Sequence, residues 1–456
     1  MGASLPAGIG KYAESFDDLQ AAFFHPKDPD RLVHYAVFGH YTTCDNTPGH
    51  CLCPATASTP LPPLFGASGL AIQDGRYPLT VQAPNFMVTL ANIIQDRNVP
   101  PTIFNVGGTF MHELGHNLGL HHGGGSAIDG SAEDTPTFKP NFLSVMNYKF
   151  QLVGIQVADA IGSYMPKTCT SDRDCPADAR CHSGTPHGAC SRLDYSRQVL
   201  PTGGNTPGAL SENGPGLNEV AGLGSGTADL TSFDDGACNF GFQPTNGPLD
   251  FDGDGNKTGL HVSADLNRQD HPGVKFCPSG VTEVLNGHDD WVLVRRFLAL
   301  SSAPGAEQFA SVLANTISSP ELTGDMAEAH HSLHPPRTVE IQIRPGCAAE
   351  RARIAPGKSG TVTVAVLGEP GFEVNEIEPS SVTFAGAKQL CFYISDVNQD
   401  GQSDLVVVFD MEHMQLHPSA RSARVTGWLK NSQVFVATGQ VMVVSTLEGE
   451  VAGCRQ

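Results

Sequence analysis

Hydrophobic and polar residues alternate in short runs throughout the C-terminal quarter of the chain. The clearest runs are rich in β-branched residues and are separated by Gly/Pro turns: residues 339–343, 361–366, 405–409 and 434–444. A period of two is typical of strands that bury one face. We therefore expect an all-β, sandwich-like domain over residues 337–456.

The first 300 residues have a different pattern, with fewer elements and longer irregular stretches. The pattern predicts a short helix at residues 16–24, a strand at 33–41, and a strand or strand-to-loop segment at 85–94. The next helix is expected to begin near the Gly-Gly-Thr at residues 107–109. Its buried stripe would consist of Phe110, Met111, Leu114 and Leu118. Residues 291–300 predict a further helix that closes this region.

These patterns divide the chain into three parts. Residues 1–300 are expected to form one α+β domain, with a Cys-rich insertion at 166–192 and a loop-rich segment at 200–290. Residues 301–336 are rich in small residues and are expected to form a linker, which leads into the all-β domain. A length of 456 residues is consistent with two to three domains.

One run in the predicted helix has the spacing of a metal site. From His112 to His122 the sequence reads H-E-x-x-H-x-x-G-x-x-H. On a helix, His112 and His116 project from one face and can hold a single ion. Glu113 can reach the fourth, water-occupied position as a general base. Gly119 tolerates the left-handed backbone that turns the chain back, so that His122 can become the third ligand.

Two alternatives stand beside this interpretation. His121 competes for the third position, but only His122 fits the G-x-x-H spacing. The second alternative is a helix that contains several histidines by chance. The full pattern arises by chance on the order of once in 10⁴ such chains. The run makes a zinc-dependent hydrolase the leading hypothesis.

The segment that follows resembles a known clan. Residues 144–148 read Ser-Val-Met-Asn-Tyr, which is similar to the methionine turn of the metzincin zinc endopeptidases. With residues 193–197 and 289–291, the chain resembles secreted bacterial metzincin-like proteases over roughly residues 30–300. The resemblance implies a twisted, mostly parallel sheet and an active-site helix above a cleft. It also implies that Met146 forms an apolar floor beneath the histidines.

The same resemblance gives Tyr148 a role as an additional zinc ligand, since some members of the clan have a ligating tyrosine two residues after the methionine. An ordinary half-buried tyrosine is the alternative. The implied reaction is hydrolysis of a peptide bond by a zinc-bound water that Glu113 activates. No covalent intermediate is required.

Two other functions remain open at this point. One is an adhesion or binding protein with weak or no activity on a metzincin frame, and the other is a zinc hydrolase that acts on a non-peptide amide. The presence of Glu113 beside all three histidines favours the endopeptidase, because a binding protein has no need of the base. The expected partner is a protein or peptide substrate.

The net charge and the cysteine content indicate which partners and which cellular compartment fit the chain. The net charge of −20 argues against nucleic acid or an anionic membrane as a partner. The 12 cysteines indicate disulfides formed outside the cytoplasm, so we expect a secreted protein. The first 25 residues contain no apolar core of a signal peptide, and we expect that segment to have been removed. No apolar run is long enough to span a membrane.

The cysteines fall in clusters. Within the insertion, three disulfide pairings are open, and a second zinc site is the alternative; the residues are Cys169, Cys175, Cys181 and Cys190. Cys44, Cys51 and Cys53 form another cluster, for which we favour disulfides over a thiolate that caps the zinc. Disulfides are thus expected to stabilise loops in both places.

Two loops place oxygen side chains at alternate positions around a glycine, as calcium loops do. The candidate ligands are Asp250, Asp252, Asp254 and Asn256 in the first loop, and Asp396, Asn398, Asp400 and Asp404 in the second. Both loops lack the carboxylate at the twelfth position, where His261 and Val407 stand. Plain Asx-rich turns are the alternative to calcium sites.

Overall fold

The structure of the protein is a computed structural model. It describes residues 36–39, 68–71, 86–94, 99, 102–125, 137–182, 188–213, 216–234, 240–254, 256–267, 282–301, 322, 326–327, 334–346, 352–416, 418–431 and 433–445. The helix predicted at residues 16–24 and the cysteine cluster at 44–53 lie outside this part of the chain. In the described part the protein is mostly β, with few helices.

A small sheet precedes the histidine-bearing helix. It consists of β1 (Ala36–Gly39), β2 (Gly69–Ala71) and β3 (Phe86–Thr89) in the order β1-β3-β2. β3 pairs parallel with β1 and antiparallel with β2. The strand predicted at 85–94 is therefore confirmed in its first half. Its second half is instead a short helix, α1 (Ala91–Ile94).

The histidine-bearing helix, α2, spans Ile103–Asn117. Thr102 and Asn105 form a capping box at its start: the Thr102 hydroxyl accepts from Asn105 N at 3.3 Å, and the Asn105 side chain accepts from Thr102 N at 2.9 Å. The predicted start near residues 107–109 is wrong, because this box begins the helix one turn earlier. Gly108 lies inside the helix, where a Cβ would overlap the Gln151 carbonyl oxygen.

The Cys-rich insertion is a four-stranded sheet closed by two disulfides. Its strands are β4 (Ile155–Gln156), β5 (Thr168–Cys169), β6 (Arg180–His182) and β7 (Gly188–Arg192), and β7 pairs with each of the other three. The disulfides join Cys169 to Cys181 and Cys175 to Cys190. They select one of the three open pairings, in place of a second zinc site, and are consistent with an extracellular protein.

Short strand pairs and one helix complete this region. β8 (Ala209–Ser211) pairs with β11 (Val284–Asn286), and β9 (Leu230–Asp234) pairs with β10 (Phe240–Pro244). The preceding short helix α3 (Tyr148–Gln151) and the later α4 (Asp290–Ser301) flank α2. The helix predicted at 291–300 is thus confirmed. Among the described residues, no helix combines the length and hydropathy that a membrane crossing requires.

The C-terminal domain is a nine-stranded sheet that curls around one apolar core. Its strands are β12 (Arg337–Thr338), β13 (Ile341–Ile343), β14 (Ala352–Ile354), β15 (Thr361–Val366), β16 (Ile377–Phe384), β17 (Ala387–Ser395), β18 (Asp404–Asp410), β19 (Ser422–Leu429) and β20 (Val434–Val443). The order is β12-β20-β19-β16-β17-β18-β15-β13, and β14 also pairs with β20. The strands predicted from alternation are confirmed. The two layers expected of a sandwich are continuous here, because β17 pairs with both β16 and β18.

The C-terminal domain contacts the preceding region through a polar and an apolar patch. Arg424 of β19 donates to the Phe242 carbonyl of β10 at 2.6 Å. Its guanidinium lies 5.4 Å from the Tyr164 ring centroid, and the Lys257 ammonium lies 3.8 Å from the same ring. Phe242 also packs in an apolar cluster with Val434. The two regions are therefore held together by specific side chains.

Candidate metal centre

Three buried histidines converge at the end of α2. His112 and His116 lie one turn apart on the helix, and His122 follows the turn after it. The Nε2 atom of His116 lies 3.1 Å from Nε2 of His112 and 2.9 Å from Nε2 of His122. All three side chains are almost fully buried. The structure thus brings together the residues that the motif predicts as metal ligands.

Backbone carbonyls orient two of the three rings. His112 Nδ1 lies 2.8 Å from the Val145 carbonyl oxygen, and His116 Nδ1 lies 2.9 Å from that of Leu120. Because a carbonyl only accepts hydrogen bonds, each Nδ1 carries the hydrogen. In a neutral ring, Nε2 then presents its lone pair to the centre of the cluster.

Converging lone pairs in a buried space fit a cation. Lone pairs about 3 Å apart repel one another unless a positive charge lies between them. A tetrahedral ion with bonds of 2.0–2.1 Å would separate its nitrogen ligands by about 3.3 Å, which is close to the observed separations. The group formed by His112, His116 and His122 could therefore hold a metal ion.

The turn after α2 places the third histidine. Gly119 has a φ of 84°, in the left-handed region that the sequence predicts for this glycine. Its amide donates to the His116 carbonyl at 2.9 Å, and the Leu120 amide donates to the Gly115 carbonyl at 2.9 Å. His121 is also buried, but the group of ligand atoms includes His122 in its place. The turn therefore distinguishes the two adjacent histidines.

Glu113 lies on the buried side of α2, against strand β2. A Cβ on Gly69 would overlap the Glu113 carboxylate and would lie 2.7 Å from the Met87 carbonyl oxygen. Only glycine therefore fits this point of the strand without displacement of the carboxylate or the sheet. Glu113 is adjacent to a ligand on the helix, yet it is outside the group of converging ligand atoms. This position is compatible with the predicted base.

Met146 lies beside α2 in an apolar cluster. It is fully buried with Val145, Leu120 and Tyr195, and a Cβ on Gly115 would overlap its sulfur atom. The Met146 amide donates to the Ser144 hydroxyl at 3.1 Å. Since Val145 also anchors His112, this turn contacts both the helix and a ligand. The role of Met146 as an apolar floor beneath the histidines stays a prediction.

Tyr148 lies next to the histidines at the start of α3. Its ring centroid is 4.7 Å from that of His122 and 5.6 Å from that of His112. The side chain is 1% exposed, so it is fully buried rather than half-buried. Its role as an additional ligand stays a prediction.

Two buried polar residues that the sequence analysis missed support this site. Asp290 at the start of α4 accepts a 2.5 Å hydrogen bond from Ser144, and its amide donates to the Ser196 hydroxyl at 2.8 Å. Burial raises the pKa of Asp290 to about 7. The Lys139 ammonium donates to the Gly123 carbonyl, directly after the third histidine.

The insertion also contacts the start of α2. The His182 ring stacks on Phe104 with centroids 4.2 Å apart, and its Nδ1 lies 3.2 Å from the Val153 carbonyl oxygen. Burial lowers the pKa of His182 to about 4, so the ring is neutral near pH 7. The disulfide-closed insertion therefore packs against the helix that carries the site.

The predicted calcium loops form Asx turns in both places. In the first loop, all four predicted ligands accept from backbone amides of their own loop. Asp252 and Asp254 also form a group that could hold a metal ion with Glu219, a buried residue that the sequence analysis missed. In the second loop, Asp396, Asn398 and Asp400 accept from loop amides, and Asp404 accepts from the amides of Val397 and Gly368. Among the described residues, this second loop is not part of any group of three or more converging His, Cys, Asp or Glu side chains.

In comparisons with known proteins, no family model and no curated protein matches the chain. The function proposed for this protein therefore depends on the motif and on the geometry of the site.

Proposed function

We propose that the chain is a secreted, zinc-dependent endopeptidase with a metzincin-like α+β catalytic domain and a C-terminal β-sandwich-like accessory domain. His112, His116 and His122 would hold the zinc, and Glu113 would act as the general base. The observation that supports this best is the convergence of three buried Nε2 atoms, two of them on rings that backbone carbonyls orient, beside a buried glutamate. Each of these residues also fits the motif read from the sequence.

Zinc is proposed because of the donor set. Three neutral imidazoles and a free fourth position are typical of catalytic zinc sites, whereas calcium and magnesium prefer oxygen ligands. The hydrogen bonds from Nδ1 to Val145 and Leu120 hold the His112 and His116 rings in the ligating orientation. When bound, zinc supplies Lewis-acid chemistry, because it polarises a carbonyl and acidifies water.

The proton transfers of the reaction are assigned to Glu113. Its carboxylate accepts a proton from the attacking water as the oxygen adds to the peptide carbonyl carbon. It then donates this proton to the leaving nitrogen as the carbon–nitrogen bond breaks, so that an amine and a carboxylic acid are released. The Glu113 side chain is 0% exposed. Its burial keeps bulk water from competing for the proton.

Met146 and Tyr148 are proposed as supporting residues. The sulfur of Met146 would fix the depth of α2 beside the metal, since the helix meets it at a glycine. Tyr148 would be an additional ligand or would hydrogen bond to the substrate oxygen, because its ring lies beside two of the three histidines. Neither residue carries the proton.

The experiment that tests this function compares the zinc-loaded chain with a Glu113→Ala variant of equal zinc content. Hydrolysis of an unfolded protein substrate is expected for the parent and should fall about 10²–10⁴-fold in the variant. Equal hydrolysis by both proteins would contradict the role of Glu113. No hydrolysis by either protein, with zinc bound, would instead favour a binding protein on this frame.

A further inference from the structure

A single peptide group connects the ring of His112 to the side chain of Ser144. This group joins Val145 to Met146. Its carbonyl oxygen lies 2.8 Å from His112 Nδ1, and its N–H donates to Ser144 Oγ at 3.1 Å. The Val145 amide is held separately, because it donates to the Asp194 carbonyl at 2.9 Å. The position of Ser144 therefore determines where the carbonyl that orients His112 lies.

The hydrogen bonds continue from Ser144 to the carboxyl group of Asp290, at the start of α4. Since Ser144 Oγ already accepts from the Met146 amide, its own hydrogen points away from that amide. It donates to Asp290 Oδ2 at 2.5 Å. His112, the Val145–Met146 peptide, Ser144 and Asp290 thus form a network in which every donor faces toward Asp290. Hydrogen bonds aligned in one direction polarise and strengthen one another in a buried site.

Asp290 itself is held by a neighbouring segment. Its amide donates to Ser196 Oγ at 2.8 Å, and the Ser196 amide donates to Asp290 Oδ2 at 3.3 Å. The next amide of α4, that of Trp291, donates to the Ser196 carbonyl at 3.2 Å. The Asp290 side chain is 0% exposed. The oxygen at the end of the network therefore has a fixed and dry position.

We propose that Asp290 is a positioning residue for the metal centre, and that it acts on His112 through Ser144 and the Val145–Met146 peptide. This inference rests on the proposed zinc site. A metal-ligating histidine commonly donates its second ring N–H to a carbonyl or a carboxylate, and loss of such a partner lowers metal affinity by about 10–100-fold. Here the carbonyl contacts the ring, and the carboxyl group holds the carbonyl in place.

His116 provides an internal comparison. Its Nδ1 lies 2.9 Å from the Leu120 carbonyl oxygen. That carbonyl belongs to the turn after α2 and is separate from residues 144–148. Loss of Asp290 should therefore affect the ring of His112 and leave the ring of His116 in place. A general loosening of the fold would affect both rings alike, so the two rings distinguish positioning from a merely structural role.

The first test is the zinc affinity of the full chain, measured by competition with a chromogenic chelator. Asp290→Leu removes the acceptor for Ser144, and we expect zinc to bind about tenfold more weakly. Ser144→Ala interrupts the same network without a change at the buried carboxyl group, and a similar loss is expected. Asp290→Asn keeps an acceptor oxygen, so its affinity should be within about threefold of that of the parent chain.

Asp289→Ala is the matched control for these variants. Asp289 Oδ1 accepts from the Val292 amide at 3.0 Å, so this change also weakens the start of α4. It leaves the network from Asp290 to His112 intact. Zinc affinity should therefore equal that of the parent chain.

The second test is NMR spectroscopy of the zinc-loaded chain with isotopically labelled histidine. In Asp290→Leu and Ser144→Ala the Nδ1–H proton of His112 should shift upfield, because its hydrogen bond to Val145 weakens. The Nδ1–H proton of His116 should keep its chemical shift. Both signals are independent of peptidase activity.

Three results would overturn the inference. They are folded Asp290→Leu and Ser144→Ala variants that bind zinc as tightly as the parent chain, an equal loss of affinity in Asp289→Ala, and resonances of His112 and His116 that move together. In each case the parent chain still binds zinc, so the proposed function stands. A parent chain that binds no zinc would contradict the proposed function and this inference together.

Discussion

The region around the three histidines and the C-terminal domain bury different kinds of side chain. In α2, the fully buried positions include His112, Glu113, His116 and Asn117, whereas the apolar Phe110 and Leu114 are only partly buried. In the C-terminal domain the core consists of aliphatic and aromatic residues such as Val364, Phe384 and Phe409. Among the described residues from 337 onward, only Asp404 and Thr426 are buried polar side chains.

This difference has consequences for stability. An apolar core is stabilised by burial and packing alone, so each lost contact has a local cost. A buried polar cluster must satisfy every donor and acceptor, and converging lone pairs also need a cation. The C-terminal domain should therefore be insensitive to metal, whereas the region around α2 should depend on it.

The largest expected effect comes from the central ligand. His116→Ala removes the ring that lies within 3.1 Å of both other ligands, so zinc affinity should fall by more than about 100-fold and hydrolysis should be lost. Metal content after dialysis measures the effect. His121→Ala is the matched control, because His121 is buried in the same turn but outside the converging group. Zinc loss in both variants would argue against the assignment of His122.

The next effect concerns the apolar core alone. Phe409 is fully buried, and its ring lies 5.6 Å from that of Phe384. Phe409→Ala should lower the free energy of unfolding of the C-terminal domain by about 3–5 kcal/mol. Denaturant titration with and without a chelator would measure this loss. Zinc content should equal that of the parent, and a parallel loss of zinc would show that the two regions are not independent.

A smaller effect follows from His182. Its pKa is about 4 in the folded protein, below the ordinary value of 6.5, so the unfolded chain binds more protons between these values. Stability contributed by the neutral ring is complete above pH 6.5 and is lost as the pH falls toward 4, by up to about 3 kcal/mol.

The His182→Phe variant keeps the stacked ring but does not titrate, and its unfolding free energy should change less with pH. Asp290 and Glu212 act in the opposite direction, because burial raises the pKa of each to about 7. The difference between parent and variant therefore isolates His182. Parallel pH curves for the two proteins would contradict a neutral buried His182.

The smallest effect compares two adjacent glycines in α2. Gly108→Ala forces a Cβ into the Gln151 carbonyl oxygen and should destabilise the protein by about 1–3 kcal/mol. At Gly107, the nearest atom to an added Cβ is Leu193 Cδ1 at 3.2 Å, so Gly107→Ala should change stability by less than about 1 kcal/mol. Thermal unfolding of both variants tests the close approach of Gly108 to the Gln151 carbonyl oxygen. Equal losses of stability in the two variants would contradict this close approach.

The sequence was sufficient for much of the site, because local spacing determines it. The four-residue spacing of His112 and His116 and the glycine before His122 are properties of one helix and one turn. By contrast, Asp290 and Lys139 reach the site through contacts between distant segments, and no local pattern indicates which charged residues become buried. Glu219 was missed for the same reason.

Prediction of the fold was less complete for two physical reasons. The stripe of apolar residues on α2 predicts a buried hydrophobic face, but His112, Glu113 and His116 occupy the most buried face instead. In the C-terminal domain, alternation indicates β15 and β18, whose core positions are covered. It does not indicate β17, since Leu390, Phe392 and Tyr393 are exposed on both faces.

The proposed zinc site is tested most directly by X-ray absorption at the zinc edge, on the chain loaded with one equivalent of zinc. We expect three imidazole nitrogens at about 2.0–2.1 Å and a further light-atom ligand, with the imidazole signal reduced in His116→Ala. Sulfur ligands at about 2.3 Å, or a spectrum that His116→Ala does not change, would contradict a zinc site formed by His112, His116 and His122.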